Sequence, residues 1–265
     1  MAQPLMNEDP RYLLRRDDHG VTTLTLNRGD RLNPLSEAMM TLLQQEIDAI
    51  AADSRVRVVV LAGEGKAFCA GHDLKQMRAQ PSLDYYQRLF KQCSHLMLSL
   101  QRLPQPVIAR VHGLATAAGC QLVATCDLAV ASTDASFAAS GVNYGLFCST
   151  PAVPLSRNVL RKQAMEMLLT GDFIDAHEAM ARGLVNRVVA PEQLDQEVAR
   201  LTTSILAKPA AAIAMGKKMF YQQDEMGIAA AYQLAGETMA CNMMHDCALE
   251  GVQAFIDKRS PSWRR

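Results

Sequence analysis

Two segments of this sequence place small residues where the backbone could approach a ligand. One covers residues 66–74 around Gly71, the other covers residues 113–121 around Gly119, and each follows an apolar run typical of a strand. Glycine and alanine allow a close approach of the backbone, and free N–H groups at a helix start attract negative charge. Each turn could therefore direct one N–H group at a carbonyl oxygen that becomes an oxyanion. Tight packing between a strand and a helix would give the same pattern.

Other kinds of chemistry find little support in the residue types. The phosphate-binding pattern G-x-x-x-x-G-K-[S/T] is absent from the sequence. The seven cysteines are scattered and form no C-x-x-C pair, which argues against a disulfide framework and a zinc site. Cys148 would need a neighbouring base to act as a nucleophile, so we interpret it as a wall residue of a pocket. We expect free thiols, no metal ion and a reducing compartment, with the cytosol as the predicted location and the mitochondrion as the alternative.

The two turns are positioned by a regular alternation of strand and helix patterns. Strands are predicted over residues 21–27, 57–62, 104–111 and 128–132. Helices are predicted after an N-cap at Ser36 and over residues 82–103, and a turn that leads into a helix is predicted over residues 113–124. This alternation indicates βαβ units and a mostly parallel sheet. From about Pro154 onward helical spacing dominates, and only residues 185–189 are β-like. We predict an α/β core over residues 1–200 and a C-terminal helical region over residues 201–265.

The composition limits the classes of partner. The chain has 265 residues with 27 basic and 27 acidic side chains, so its formal net charge is +0. Nucleic acids and acidic membrane surfaces are bound by a basic excess on one face, which this balance does not indicate. No segment is long and apolar enough to read as a membrane span. We therefore expect neither nucleic acid nor a membrane as a partner.

Several motifs, in the same order along the chain, resemble the enoyl-CoA hydratase/isomerase (crotonase) family. They lie at residues 26–28, 32–35, 68–74, 113–128, 169–171, 183–186 and 250–259. The resemblance implies an α/β fold that is a crotonase-like spiral of ββα units with a C-terminal helical trimerisation region. It also implies a homotrimer or a dimer of trimers, and an acyl-CoA thioester as the small-molecule substrate. No cofactor is implied beyond the coenzyme A that forms part of this substrate.

The resemblance assigns roles to individual residues. The thioester oxygen would lie between the backbone N–H groups of His72 and Ala118. The adenine would lie against the backbone of Ala70, His72 and Leu74. The remaining residues implied to approach the nucleotide or its phosphate are Arg28, Phe255 and Lys258, with Arg31 as a weaker candidate.

The departures from the family pattern concern proton transfer. The two glutamates that activate water in the hydratases correspond to Gln121 and Gly141 here. An amide cannot give or take a proton near neutral pH, and glycine has no side chain. Each positioned acid or base contributes about 10²–10⁴ in rate. We therefore predict that the protein is not an efficient hydratase. The chain resembles the enoyl-CoA hydratase domain-containing subgroup, which also lacks the two glutamates.

Three functions remain open from the sequence. The first is an acyl-CoA lyase or isomerase that uses the two N–H groups with His72 or Gln121 as a polar assistant. A malonyl-type decarboxylase is one form of it, because residues 70–73 and 142–145 are similar to those of decarboxylase members. The second is a non-catalytic acyl-CoA-binding or regulatory protein. The third is an oligomerisation partner that binds no thioester.

Overall fold

Two β-sheets form the frame of the protein, whose computed structural model describes residues 9–264. In chain order the strands are β1 (Leu13–Asp18), β2 (Val21–Leu26), β3 (Val58–Gly63), β4 (Ala67–Cys69), β5 (Val107–Val111), β6 (Leu114–Thr116), β7 (Leu128–Ser132), β8 (Ser136–Ala138), β9 (Ile174–Asp175) and β10 (Arg187–Val189). One sheet has the order β1-β2-β3-β5-β7-β10, and the other has the order β4-β6-β8-β9. Only β1 and β9 pair with their neighbours in the antiparallel direction. The predicted parallel character is confirmed.

Helices cover both faces of the larger sheet. In chain order they are α1 (Glu37–Ala51), α2 (Leu74–Ala79), α3 (Leu83–Arg102), α4 (Ala118–Thr125), α5 (Ser149–Asn158), α6 (Arg161–Thr170), α7 (Ala176–Ala181), α8 (Leu194–Leu206), α9 (Ala210–Gln223), α10 (Ile228–Met243) and α11 (Asp246–Ile256). Ser36 caps α1 as predicted, since its hydroxyl accepts from the N–H of Met39 at 3.2 Å. Among the described residues, no helix has the length and apolarity needed to cross a membrane.

Strand β3 shows why a continuous apolar run forms at the centre of the sheet. All six of its residues are buried. Val59 and Leu61 belong to the core that includes α1 and α3, whereas Val58 and Val60 pack with Leu194 and the rest of α8. Because side chains alternate across a strand, a strand that is covered on both faces needs apolar residues at every position.

The structure corrects several predicted elements. Strand β1 was not expected, because Arg15 and Arg16 give it a charged pattern; such charges are common on the edge strand of a sheet. Strands β4, β6 and β8 have three residues each and are too short for a periodicity. Helix α5 was not expected because it contains Pro151 and Pro154. The strand predicted over residues 104–111 begins only at Val107.

An ion pair with little exposure to solvent attaches the C-terminal helices to the core. The Asp127 carboxylate accepts from Lys217 Nζ at 2.6 Å, from the Tyr221 hydroxyl at 2.8 Å and from the backbone N–H of Val107 at 2.7 Å. Lys217 also donates to two backbone carbonyl groups at 3.0 Å each. These contacts hold α9 against the end of α3 and the start of β5. The predicted α/β core with a helical C-terminal region is confirmed, whereas the boundary between residues 200 and 201 stays a prediction.

Candidate functional site

The two small-residue turns lie in direct contact. Gly71 has a φ of +91°, and a Cβ atom at this position would lie 3.1 Å from the amide nitrogen of Ala118 and 3.1 Å from the carbonyl oxygen of Thr116. A Cβ atom at Gly119 would lie only 2.0 Å from the carbonyl oxygen of Cys69. Both positions therefore require glycine, and the first turn of α4 packs on the residues that follow β4.

This contact leaves two backbone donors unused. Ala118 is the first residue of α4, after Ala117 at a φ of 50° and a ψ of −117°. Within residues 9–264, neither the N–H group of Ala118 nor that of His72 donates to a protein acceptor. Nearby N–H groups are paired, since Ala117 donates to Ala138 at 2.9 Å and Ala70 donates to the carbonyl oxygen of Leu32 at 3.0 Å. The site therefore offers two adjoining free N–H groups from two different turns.

The His72 side chain is held in one tautomer. Its Nδ1 lies 3.1 Å from the carbonyl oxygen of Leu35, which can only accept, so Nδ1 carries the hydrogen and Nε2 carries a lone pair. Nε2 is buried without a hydrogen-bond partner among the described residues. The ring packs edge-on against Phe90 at 5.7 Å. Burial lowers the pKa of His72 below its ordinary value of 6.5, so the imidazole is neutral at pH 7.

Gln121 is buried in α4 and faces α3. Its Oε1 accepts from the Cys93 thiol at a sulfur–oxygen distance of 3.9 Å, which is a long contact. Burial raises the pKa of Cys93 to about 12, so the thiol keeps its proton and acts as a donor. In the described part of the chain, the Gln121 amide nitrogen donates to no protein group. The amide can orient a ligand or a water molecule but cannot transfer a proton to it.

Gly141 has no space for a side chain. A Cβ atom there would lie 2.4 Å from the carbonyl oxygen of Leu146 and 2.8 Å from the Sγ atom of Cys148. The Gly141 N–H group donates to that sulfur at 3.3 Å. Burial raises the pKa of Cys148, so it is a neutral thiol at pH 7 and not a ready nucleophile. The segment that follows Gly141 therefore fills the space that a side chain at this position would need.

The residues expected to contact the nucleotide do not form one obvious cluster in the fold. The Arg28 guanidinium lies 4.2 Å from the centre of the Tyr12 ring and forms an ion pair with Asp30 at 3.3 Å. Ala70 and Leu74 belong to the turn of residues 66–74, and Leu74 is exposed at the start of α2. Arg28 is already held by protein partners, which the sequence did not reveal.

Phe255 and Lys258 lie at the end of the last helix. The Phe255 side chain is 84% exposed, and Lys258 follows α11 with a left-handed φ of 53°. Helix α11 packs mainly on α9 and α10. These packing contacts do not bring the two residues to the His72 and Ala118 turns.

Three supporting residues were missed at the sequence level. Leu35, Phe90 and Cys93 hold the side chains of His72 and Gln121. The spacing of Phe90 and Cys93 in a predicted helix was a usable signal, because residues three apart lie on the same face. The seven free cysteines were predicted correctly.

Comparisons with known proteins agree with this architecture. The family model for enoyl-CoA hydratase/isomerase matches residues 16–265. The mitochondrial enoyl-CoA hydratase domain-containing protein 3 of Rattus norvegicus is 44% identical, over 96% of this chain and 85% of its own length. A crystal structure of enoyl-CoA hydratase from Mycobacterium smegmatis has a TM-score of 0.94 and 62% identity, covering 96% of this chain and 99% of that chain. The crystal structure of human enoyl Coenzyme A hydratase domain-containing protein 3 has a TM-score of 0.92 and 42% identity. The match covers 96% of this chain and 100% of that chain.

The relatives also correct the predicted location. The proteins from rat, frog, mouse and human are named mitochondrial, so the prediction of the cytosol is wrong. Free cysteines indicate a reducing compartment but do not distinguish one such compartment from another. By the extent of the family match and the likeness of the folds, the chain belongs to the enoyl-CoA hydratase/isomerase family, has the crotonase fold and falls in the enoyl-CoA hydratase domain-containing subgroup.

Proposed function

We propose that the protein binds an acyl-CoA thioester with the thioester oxygen between the backbone N–H groups of His72 and Ala118. The supporting observation is the contact of the two turns, which leaves these adjacent donors unpaired among the described residues. Two preorganised N–H groups stabilise the negative charge that an enolate places on this oxygen. The reaction expected here is one that passes through an enolate, such as isomerisation.

Hydration by two carboxylates is not the proposed reaction. Gln121 cannot transfer a proton, and position 141 lacks both a side chain and the space for one. Each missing acid or base corresponds to about 3–5 kcal/mol of barrier, from about 10²–10⁴ in rate at about 1.36 kcal/mol per decade. The hydration of an enoyl-CoA by this protein should therefore be slow.

Two narrower functions, a malonyl-type decarboxylase and a non-catalytic acyl-CoA-binding protein, are supported to different degrees by the site. A malonyl-type decarboxylase must hold a carboxylate, and the neutral His72 presents a lone pair that would repel it. A non-catalytic acyl-CoA-binding protein is the second candidate, because the site keeps both N–H donors and has lost both carboxylates. Arg28, Ala70, Leu74, Phe255 and Lys258 would contribute to coenzyme A binding in either case, the last two from a neighbouring subunit.

Mass spectrometry of coenzyme A thioesters after incubation with the protein tests the proposed function. The set contains crotonyl-CoA, methylmalonyl-CoA and butyryl-CoA, each with a control lacking protein, and equilibrium binding is measured in parallel. Binding of the thioesters, with little gain of water by crotonyl-CoA, is the expected result. Loss of carbon dioxide from methylmalonyl-CoA would identify a decarboxylase. Fast hydration would contradict the argument from Gln121 and Gly141, and the absence of any thioester binding would contradict the proposal as a whole.

A further inference from the structure

Ala117, the residue that precedes α4, has a backbone conformation that L-amino acids rarely adopt. Its φ is 50° and its ψ is −117°. The left-handed helical region, where most non-glycine residues with a positive φ lie, has a ψ of about +30° to +60°, so Ala117 lies outside it. Glycine adopts this conformation at the first central position of a type II′ turn. Ala117 therefore stores backbone strain directly beside the Ala118 donor.

The strain persists because hydrogen bonds hold Ala117 on both sides. Its N–H group donates to the carbonyl oxygen of Ala138 at 2.9 Å, and its own carbonyl oxygen accepts from the N–H group of Gln121 at 3.0 Å. The Ala138 oxygen also accepts from the Thr116 hydroxyl at 3.3 Å, and that hydroxyl lies 2.7 Å from Oγ of Ser140. A strained residue is retained only where its surroundings determine its conformation in this way.

These bonds fix the direction of the Ala118 N–H group. In a planar trans peptide the C=O and N–H groups point in opposite directions. The Ala117 carbonyl group points along α4 to Gln121, so the N–H group of the same peptide, which belongs to Ala118, points out of the helix start. The Ala117 methyl group lies beside the other turn, because a Cβ atom at Gly71 would be only 3.1 Å from it. Ala117 therefore precedes one donor and lies next to the residue that precedes the other donor, His72.

We propose that Ala117 is a positioning residue, whose strained conformation keeps the Ala118 N–H group aimed at the thioester oxygen and lowers the stability of the fold. A donor that is fixed before the ligand arrives needs no reorganisation when it binds the oxygen. Glycine at this position would relieve the strain and would let the peptide between residues 117 and 118 rotate more freely. This proposal rests on the thioester-binding function proposed above and adds the residue that orients one of its donors.

Calorimetric titration with two derivatives of coenzyme A, together with urea denaturation, tests the proposal. Butyryl-CoA carries the thioester oxygen and S-butyl-CoA is the matching thioether without it, so the ratio of their dissociation constants measures recognition of that oxygen. In the wild-type protein we expect butyryl-CoA to bind at least about tenfold more tightly than S-butyl-CoA. In Ala117→Gly this preference should fall by about two- to tenfold. The urea midpoint of unfolding should rise in the same variant, because glycine adopts the native φ without strain.

The opposite signs of the two changes distinguish positioning from ordinary packing, which would lower the urea midpoint. Ala211→Gly is the matched control, because Ala211 is also partly buried but lies within the first turn of α9. This variant should lower the midpoint and keep the wild-type preference for butyryl-CoA. A wild-type preference in Ala117→Gly, or a midpoint below that of the wild type, would overturn the proposal. If the wild-type protein itself does not prefer butyryl-CoA to S-butyl-CoA, the proposed function fails, and the role of Ala117 fails with it.

Discussion

At the scale of single residues, Gly141 lies where the fold leaves no space for a side chain. A Cβ atom at this position would approach the Leu146 carbonyl oxygen to 2.4 Å, so the segment that follows must shift. We expect Gly141→Ala to lower the free energy of unfolding by about 1–3 kcal/mol, measured by denaturant titration. Gly236→Ala in α10 is the matched control, since its Cβ would meet nothing within 4 Å. Equal unfolding midpoints for the two variants would show that the segment adapts without cost.

The protonation of His72 predicts how the stability of the protein depends on pH. The unfolded side chain takes up a proton near its usual pKa of 6.5, whereas burial holds the folded pKa lower. Between these values the unfolded state binds more protons, so stability falls as the pH falls. When the pH is lowered from about 7.5 to about 5.5, the free energy of unfolding should therefore fall less in His72→Phe than in the wild type. Below the usual pKa, this difference can grow by up to about 1.4 kcal/mol per pH unit.

The comparison is made by chemical denaturation at the two pH values. The control is His177→Phe, which changes an exposed histidine and should keep the wild-type pH dependence. His112, whose pKa burial also lowers, is present in every variant and cancels from the difference. The same pH dependence in His72→Phe and the wild type would show that His72 is not held neutral in the folded protein.

The sequence predicted some of this residue-scale geometry and not the rest. The convergence of the turns around Gly71 and Gly119 could be predicted, because small residues after two neighbouring strands indicate a close approach of the backbone. The filled space at Gly141 could not, because it is created by the backbone of Leu146 five residues later. The tautomer of His72 depends on the Leu35 carbonyl oxygen, which is distant in the sequence and close only in the fold.

At the scale of elements, the ion pair of Asp127 and Lys217 determines how α9 is held. The Lys217 side chain is only 7% exposed, and its removal leaves the Asp127 carboxylate, which is 17% exposed, without its cation. We expect Lys217→Met to lower the free energy of unfolding by about 3–5 kcal/mol. Lys218→Met, at the adjacent exposed position, should change it little. Similar losses in the two variants would show that the pair does not stabilise this packing.

Elements with a long, regular pattern were predictable, and those fixed by tertiary contacts were not. Helix α3 follows its predicted range because its apolar residues recur at helical spacing over five turns. The three-residue strands β4 and β6 form because they pair with each other beside the glycine contacts, which no local pattern shows. Helix α5 tolerates Pro151 within its first turn, where a missing N–H group costs little.

At the scale of the whole molecule, the C-terminal helices leave large apolar side chains exposed. Ile228, Tyr232 and Met239 of α10 are each more than 70% exposed, as is Phe255 of α11. Such surfaces are usually covered by another protein surface. We expect light scattering of the purified protein to give three or six times the chain mass of 29.0 kDa. A monomeric mass would contradict the proposed trimer and with it the contribution of Lys258 to a neighbouring site.

In the function proposed above, the thioester oxygen accepts from the backbone N–H groups of His72 and Ala118. Infrared difference spectroscopy of butyryl-CoA with an isotope-labelled thioester carbonyl tests it most directly, because hydrogen bonds to the oxygen weaken the C=O bond. On binding to the protein, the labelled carbonyl band should move to a lower frequency than in water, since two oriented donors polarise it more than solvent does. A bound thioester whose carbonyl band stays at the water frequency, or moves above it, would contradict the account.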